Sequence, residues 1–336
     1  HISSRYNYDQ GFDVWLSAGN GFQGDYFAIN QALFWVLKTN PSNAFLYLHI
    51  KGPHQPFRAA YANRPFWKKT SYFEDGEYET DSRYKFKSTD LVKPIKNGDI
   101  KLKDHEVTFL RHLYGGQVNY YDRNFVQPFL SNLQQLGIFQ SSLTVITSDH
   151  GEELYDHGSY AHGQTLYEES IHTPLLMKFP DDTRISDSVD PGNLTLESID
   201  LTATLADYAG GSLDGITGNS LLPILRGGMD DQPSSPFTEA YSQNIDQKRI
   251  KQTSVVKPPW KLIYHYATGK EELYNLRKDP REQKPLEDHT KRKYQLRERI
   301  FEATGSDSVP VVRTNNMREA TSEEIKQLEG LGYISD

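Results

Sequence analysis

The stretch LTVITSDHGEE, residues 143–153, joins a run of strand-forming side chains to a group of polar ones. Its first part, residues 143–148, is a short apolar run typical of a strand that is buried on both faces. Asp149 and His150 follow it directly. In an open parallel sheet, ligands bind at the carboxyl ends of the strands. The stretch therefore predicts a buried strand with a polar site at its end.

Segments with strand and helix patterns alternate on both sides of this stretch. Residues 44–50 (AFLYLHI) and 175–179 (LLMKF) are further apolar runs, and residues 25–38, 104–136 and 196–209 have the apolar spacing of helices. The alternation predicts an α/β fold with a mainly parallel sheet sandwiched by helices. Residues 57–103 lack clean periodicity and are interpreted as a long irregular insertion.

The composition changes near residues 229–236 (MDDQPSSP), which resemble a linker. Four short runs with strand character follow, separated by turn residues, and a charged helical segment spans residues 291–303. We therefore predict an α/β domain over residues 1–232 and a C-terminal subdomain over residues 233–336, built from a small antiparallel sheet and a helix.

Composition excludes several classes of protein. The chain has 336 residues, 36% of them hydrophobic and 24% charged, which is a globular composition. Its net charge of −8 argues against a nucleic-acid partner, which would require a basic surface. No apolar run approaches the roughly 18 residues that span a bilayer. The absence of cysteine rules out a thiol nucleophile and thiolate metal ligands within these residues.

Two groups of residues carry candidate chemistry. Asp149 offers an oxygen and His150 a nitrogen to one divalent cation, although a helix-capping Asp beside a packed His explains the dipeptide equally well. Histidines interleaved with glycine follow, at His157-Gly158 and His162-Gly163, and this context favours a site. The second group is Lys51-Gly52-Pro53-His54, which follows the run at residues 44–50 and so lies at another predicted strand end.

The ordered set of these motifs resembles the sulfatase family of the alkaline phosphatase superfamily. The matching segments are GFD (11–13), FLYLHIKGPHQPF (45–57), LGIFQSSLTVITSDHGEE (136–153), HGSYAHGQTLYEESIHTPLLMKFP (157–180), SIDLTATLADYAG (198–210), GNSLLPILRGG (218–228), KLIYHYATGKEELYNLRKDPRE (261–282) and LEGLGYIS (328–335). They span nearly the whole chain in family order. The resemblance implies an alkaline phosphatase-like fold.

The resemblance also implies roles for individual residues. Asp149 and His150 match metal ligands of the family, usually for Ca²⁺, with Mn²⁺ or Zn²⁺ as alternatives. His54 matches a histidine that contacts the sulfate, with Lys51 beside it in the same substrate-binding loop. His162 matches a residue that contacts the ester oxygens and aids departure of the leaving group. The family's Cys/Ser-x-Pro-x-Arg nucleophile motif is not found in these residues, so the chain resembles the later part of a sulfatase.

The predicted function is metal-dependent hydrolysis of sulfuric esters, with a sulfated carbohydrate or aryl sulfate as substrate and with His54 and His162 as catalytic residues. The missing nucleophile segment could act as a separate chain. Two alternatives are a phosphodiesterase or phosphotransferase of the same superfamily, and a non-catalytic binder of anionic sugars. The binder would use aromatic and basic residues of the insertion: Tyr61, Phe66, Trp67, Lys68, Lys69, Tyr72, Phe73, Tyr78, Tyr84, Lys85 and Lys87. Family resemblance alone favours an extracytoplasmic location.

Overall fold

The computed structural model of the chain describes residues 8–18, 21–55, 57, 92–187, 189–190, 192, 194–227, 239–246 and 249–305. The helices are α1 (Gly21–Thr39), α2 (Val92–Lys96), α3 (Asp104–Tyr121), α4 (Gln127–Gln135), α5 (Ile138–Ser141), α6 (Glu168–Ile171), α7 (Ser198–Tyr208), α8 (Leu222–Leu225) and α9 (Thr290–Thr304). The strands are β1 (Thr144–Thr147), β2 (Glu153–Leu154), β3 (Tyr160–Ala161), β4 (Leu175–Lys178), β5 (Ala240–Asp246), β6 (Arg249–Lys257), β7 (Trp260–His265) and β8 (Lys270–Asn275). The aromatic part of the insertion, the domain boundary at residues 232–233 and the segment at 328–335 lie outside the described residues.

The helices predicted at residues 25–38 and 196–209 are confirmed as α1 and α7. The helical pattern at residues 104–136 is divided between α3 and α4, which are joined by a wider π-helical turn at Asp122–Val126. Pro128 lies in the first turn of α4, directly after this π-helical turn. Gly137 follows α4 with φ of 73°, the left-handed conformation that commonly ends a helix. Within the described part of the chain, no helix combines the length and the apolarity that a membrane crossing requires.

Strand β1 forms where the sequence predicted it, but β4 pairs with it in the antiparallel direction. Thr144 lies opposite Lys178 and Thr147 opposite Leu175. This described pair is therefore antiparallel, whereas the sequence favoured a mainly parallel sheet. The connection between the two strands contains the β2–β3 hairpin and the four-residue α6.

In the apolar run at residues 44–50 only Leu48 and Ile50 are partly buried, and the run pairs with no strand among the described residues. Leu48 and Ile50 pack against the core formed by Ile29, Tyr121 and Phe125. By contrast, 63% of Phe45 and 50% of Tyr47 remain exposed. The prediction of a strand buried on both faces is therefore wrong for this run.

The C-terminal sheet has the antiparallel order β5-β6-β7-β8. Helix α9 packs on one face, where its Leu296 and Ile300 join Val255, Leu262 and Leu273 in a buried core. The predicted antiparallel subdomain with a charged helix is thereby confirmed as an arrangement of elements. Its boundary at residue 232 stays a prediction.

Candidate active site

The turn that carries His54 is held by side chains from α1 and α3. Asp25 accepts a hydrogen bond from the backbone N–H of Lys51 at 2.9 Å and another from the Tyr121 hydroxyl at 2.6 Å. Gln117 donates from Nε2 to the carbonyl oxygens of Pro53 and His54, at 3.2 and 2.7 Å. The loop position of His54 is therefore fixed by buried polar groups of the surrounding helices.

Three histidines from distant parts of the sequence pack together at the carboxyl end of β1. The ring centroids of His54 and His162 are 4.9 Å apart, and those of His150 and His162 are 4.4 Å apart. His162 lies between the other two and is 2% exposed. We call His54, His150 and His162 the imidazole cluster. The structure thus brings together both predicted catalytic histidines and one predicted metal ligand.

Hydrogen bonds define which ring nitrogens of the cluster carry protons. Nδ1 of His54 donates to the carbonyl oxygen of Gln55 at 2.6 Å, and Nδ1 of His150 donates to that of Gly151 at 2.7 Å, because a carbonyl oxygen can only accept. In the neutral form of each ring, Nε2 therefore has a lone pair. Burial is the main cause that lowers the pKa of His54, and the neighbouring imidazoles add to it. His54 is consequently neutral near pH 7.

His162 has a different partner from the other two rings. Its Nδ1 lies 3.3 Å from Oε1 of Glu152, and both side chains are almost fully buried. Of the imidazoles in the cluster, His162 is the one with a buried carboxylate beside its Nδ1. Sequence reasoning did not single out Glu152, although the residue lies in the same DHGEE segment.

Asp149 and His150 lie on the same side of the strand end. Oδ1 of Asp149 accepts the backbone N–H of His150 at 3.1 Å and lies 3.7 Å from Nε2 of that ring. The two side chains can therefore face one cation, with the ring oriented through Nδ1 as is common for metal-binding histidines. Calcium requires about 6–8 oxygen ligands. No group of three or more histidine, aspartate or glutamate side chains within the described ranges could hold a metal. These residues alone do not fit a complete calcium site.

Lys51 and His157 occupy different places relative to the cluster. Lys51 begins the turn that ends at His54, and burial lowers the pKa of its ammonium group. His157, which the glycine-histidine pattern also singled out, contacts Glu169 and Glu282 instead of the cluster rings. His172 is 76% exposed and pairs with Glu168 on its own helical turn.

The family model described as Sulfatase matches residues 3–212, well over half of the chain. The chain belongs to the sulfatase family. A second model, described as N-sulphoglucosamine sulphohydrolase, C-terminal, matches residues 156–304. The predicted family is thereby confirmed.

Individual sulfatases are similar over part of their length. Arylsulfatase K of Rattus norvegicus is 26% identical over 263 residues, covering 74% of this chain and 42% of the rat protein. Choline-sulfatase of Rhizobium meliloti is 25% identical over 273 residues, covering 76% of this chain and 49% of that enzyme. The chain therefore spans about half the length of these relatives.

A solved structure supports the fold class. The phosphonate monoester hydrolase SpPMH from Silicibacter pomeroyi superposes with a TM-score of 0.59 at 18% sequence identity, covering 92% of this chain and 72% of that one. The likeness confirms the predicted α/β, alkaline phosphatase-like fold class.

Proposed function

We propose that this chain is the later part of a sulfuric ester hydrolase that acts on a sulfated carbohydrate or an aryl sulfate. The observation that carries the proposal is the imidazole cluster at the carboxyl end of β1, in a chain of the sulfatase family. In this proposal His162, backed by Glu152, gives a proton to the leaving group. His54 and Lys51 orient the sulfate, and His54 must take up a proton before it can donate to a sulfate oxygen.

The test is hydrolysis of a fluorogenic aryl sulfate by the protein extended upstream, so that it includes a nucleophile segment of the family. We expect turnover to fall by about 10²-fold or more in His162→Ala, because a general acid contributes that much. His172→Ala is the matched control, since His172 is exposed and lies outside the cluster. Equal activity in the two variants, or activity on phosphate monoesters and diesters alone, would overturn the proposal.

The proposal includes a partner for exposed apolar side chains of the α/β part. Aromatic and leucine side chains of α1, of residues 44–50 and of β4 are at least half exposed: Tyr26, Phe34, Leu37, Phe45, Tyr47 and Leu176. Large apolar side chains that stay exposed can mark a site of association. We expect a segment bearing the nucleophile to cover them, joined upstream or supplied as a separate chain. Turnover by residues 1–336 alone would contradict this expectation.

The proposal also includes a divalent metal, with Ca²⁺ first and Mn²⁺ or Zn²⁺ as alternatives. Asp149 and His150 would be two of its ligands, and we expect the upstream nucleophile segment to supply others. When bound, such an ion neutralises charge on the sulfate. Metal content of the extended protein, measured by mass spectrometry, should fall in Asp149→Ala. Unchanged content would remove Asp149 from the site.

As part of the same proposal, we place the protein outside the cytoplasm, on the ground of family membership. Cell fractionation of the source organism would test this location.

A further inference from the structure

His157 lies at the tip of the β2–β3 hairpin, and each of its ring nitrogens faces an acceptor. Nδ1 is 2.6 Å from Oε1 of Glu169, and Nε2 is 3.0 Å from the backbone carbonyl oxygen of Glu282. Neither an ionised carboxylate nor a carbonyl group can donate a hydrogen bond. Both ring nitrogens must therefore carry a hydrogen to make these bonds, and a ring with two N–H groups is an imidazolium.

The surroundings of His157 stabilise this positive charge. The side chains of His157 and Glu169 are only 13% and 16% exposed, so solvent screens their attraction weakly. The ring of Tyr167 stacks on the imidazole with centroids 3.6 Å apart and planes 14° apart, an arrangement that favours a cation. Burial by itself lowers the pKa of His157, but the bonds and charges of Glu169 and Glu282 outweigh burial and raise the pKa.

One neighbour could instead donate to the ring. Nε2 of Gln283 lies 3.3 Å from Nε2 of His157 and also donates to the Arg281 carbonyl oxygen at 2.9 Å. If Nε2 of His157 accepted a hydrogen bond from Gln283, that nitrogen would carry a lone pair. The lone pair would then also face the carbonyl oxygen of Glu282, which cannot donate a hydrogen bond. The shorter contact is with that carbonyl oxygen, at 3.0 Å. The geometry therefore favours a protonated Nε2.

One bond of His157 joins the hairpin to α6, and the other joins it to the loop that follows β8 of the C-terminal sheet. Glu282 follows β8, and its carboxylate accepts the backbone N–H of Glu168 at 2.6 Å and pairs with Lys261 of β7 at 2.8 Å. Lys261 also pairs with Glu168, at 2.9 Å. These charges, together with Glu169, face His157 from α6, from β7 and from the loop after β8. On the hairpin itself, the next charged pair is Asp156 with Arg111 of α3.

The other end of the same hairpin leads into the imidazole cluster. Strand β3 is fully buried, and His162 follows it directly. The tip that His157 fixes is thus five positions from the proposed proton donor, on one short and tightly packed element.

We propose that His157 is a positioning residue that is charged at neutral pH, an imidazolium that holds the hairpin to the loop after β8 of the C-terminal sheet and thereby sets the place of His162 in the cluster. The inference rests on the proposed function only for the role of His162. The charge on His157 can be measured without turnover. Because the pKa of His157 is raised in the folded protein, its positive charge contributes its full stabilisation of the fold below the usual histidine pKa of about 6.5. This stabilisation is lost as pH rises through the pKa that His157 has in the folded protein.

The first experiment is long-range proton–nitrogen NMR of the ¹⁵N-labelled chain between pH 6 and 9. The signals of His157 are assigned by their loss in His157→Gln. We expect both nitrogens of His157 to show protonated-type shifts at pH 7.5. A single protonated nitrogen on His157 at that pH would overturn the inference.

The second experiment is amide hydrogen exchange across residues 153–163. After correction for the intrinsic pH dependence, exchange should speed up about tenfold or more as His157 titrates, and His157→Gln should show the fast rate at every pH. His172→Gln is the matched control and should behave as the wild type. Unchanged exchange in the hairpin would overturn the positioning role. If His157→Gln does not fold, the wild-type pH series decides alone.

The two proposals fail separately. A charged His157 with a protected hairpin, in an extended protein that hydrolyses no sulfate ester, would contradict the proposed function and leave the inference standing. A neutral His157 in an active sulfatase would do the reverse.

Discussion

Lys261→Met should be among the most destabilising single substitutions in the C-terminal half. The Lys261 side chain is 0% exposed, and its Nζ lies 2.9 Å from Glu168 and 2.8 Å from Glu282, whose own side chain is 0% exposed. Methionine fills a similar volume without the charge, so two carboxylates would face each other with no cation between them. Removing one partner of a buried ion pair costs about 3–5 kcal/mol. That is a large fraction of the roughly 5–15 kcal/mol that stabilises a folded protein.

The assay is equilibrium unfolding in urea, followed by intrinsic fluorescence, with Trp260 of β7 close to the substituted position. With a urea dependence of about 3 kcal/mol per molar, the expected loss moves the midpoint down by roughly 1–2 M. Lys270→Met is the matched control on the neighbouring strand. Its side chain is 63% exposed, so its pair with Glu272 should contribute at most about 1 kcal/mol.

A double variant separates lost charge from lost packing. If the cost of Lys261→Met comes from uncompensated carboxylates, adding Glu282→Gln should restore part of the stability. The reasoning is refuted if the free energies of unfolding of Lys261→Met and Lys270→Met differ by less than about 1 kcal/mol. It is also refuted if the double variant loses as much stability as the two single variants lose together.

Two further predictions concern the His54 turn and the acid stability of the C-terminal sheet. In Gly52→Ala, the added Cβ would lie 1.9 Å from the ring of Tyr121, so we expect a loss of about 1–3 kcal/mol in urea unfolding and altered His54 ring signals in NMR. Unchanged His54 signals would show that the turn tolerates the methyl group. Burial acts to raise the pKa of Glu272, but hydrogen bonds from four side chains outweigh it and hold the pKa well below the usual value of about 4.3; the donors are His265, Lys270, Tyr274 and Tyr167. Because the pKa of Glu272 is lower in the folded protein than in the unfolded one, its carboxylate stabilises the fold above about pH 4.3, and this stabilisation is lost as pH falls toward the folded-state pKa. The stability of Glu272→Gln should therefore fall less steeply with pH than that of the wild type below about pH 4. Parallel acid-unfolding curves for the two proteins would contradict the prediction.

The C-terminal sheet could be predicted because its determinants are local. Alternating apolar side chains and turn residues lie within a few positions of each other, and hairpin strands pair with their neighbours in sequence. The error at residues 44–50 has the opposite cause. An apolar run indicates that a segment favours burial. Whether it is buried depends on side chains from distant segments, which the run itself does not specify. The pattern therefore could not say that Phe45 would remain 63% exposed.

The convergence of the site was also predictable, because a topological rule links distant residues. His54 and His150 both follow apolar runs, and a rule that places the ends of such runs at one edge of a sheet predicted that they meet, although the run at residues 44–50 pairs with no strand among the described residues. The supporting contacts were not predictable. Glu152 beside His162, and Gln117 beside the His54 turn, depend on how α3 and the hairpin pack. Such contacts leave no periodic signal in a single sequence.

His157 and His162 show why one motif can hold two different functions. Both are histidines followed by glycine, in the segment HGSYAHG, and by residue type they are equivalent. Their partners separate them. His157 meets an acceptor at each nitrogen, so its proton is held in place and the residue serves as a fixed cation. His162 has the carboxylate of Glu152 beside its Nδ1, and its ring packs against two other imidazoles. In the proposed function the proton that moves belongs to His162, and the proton that stays belongs to His157.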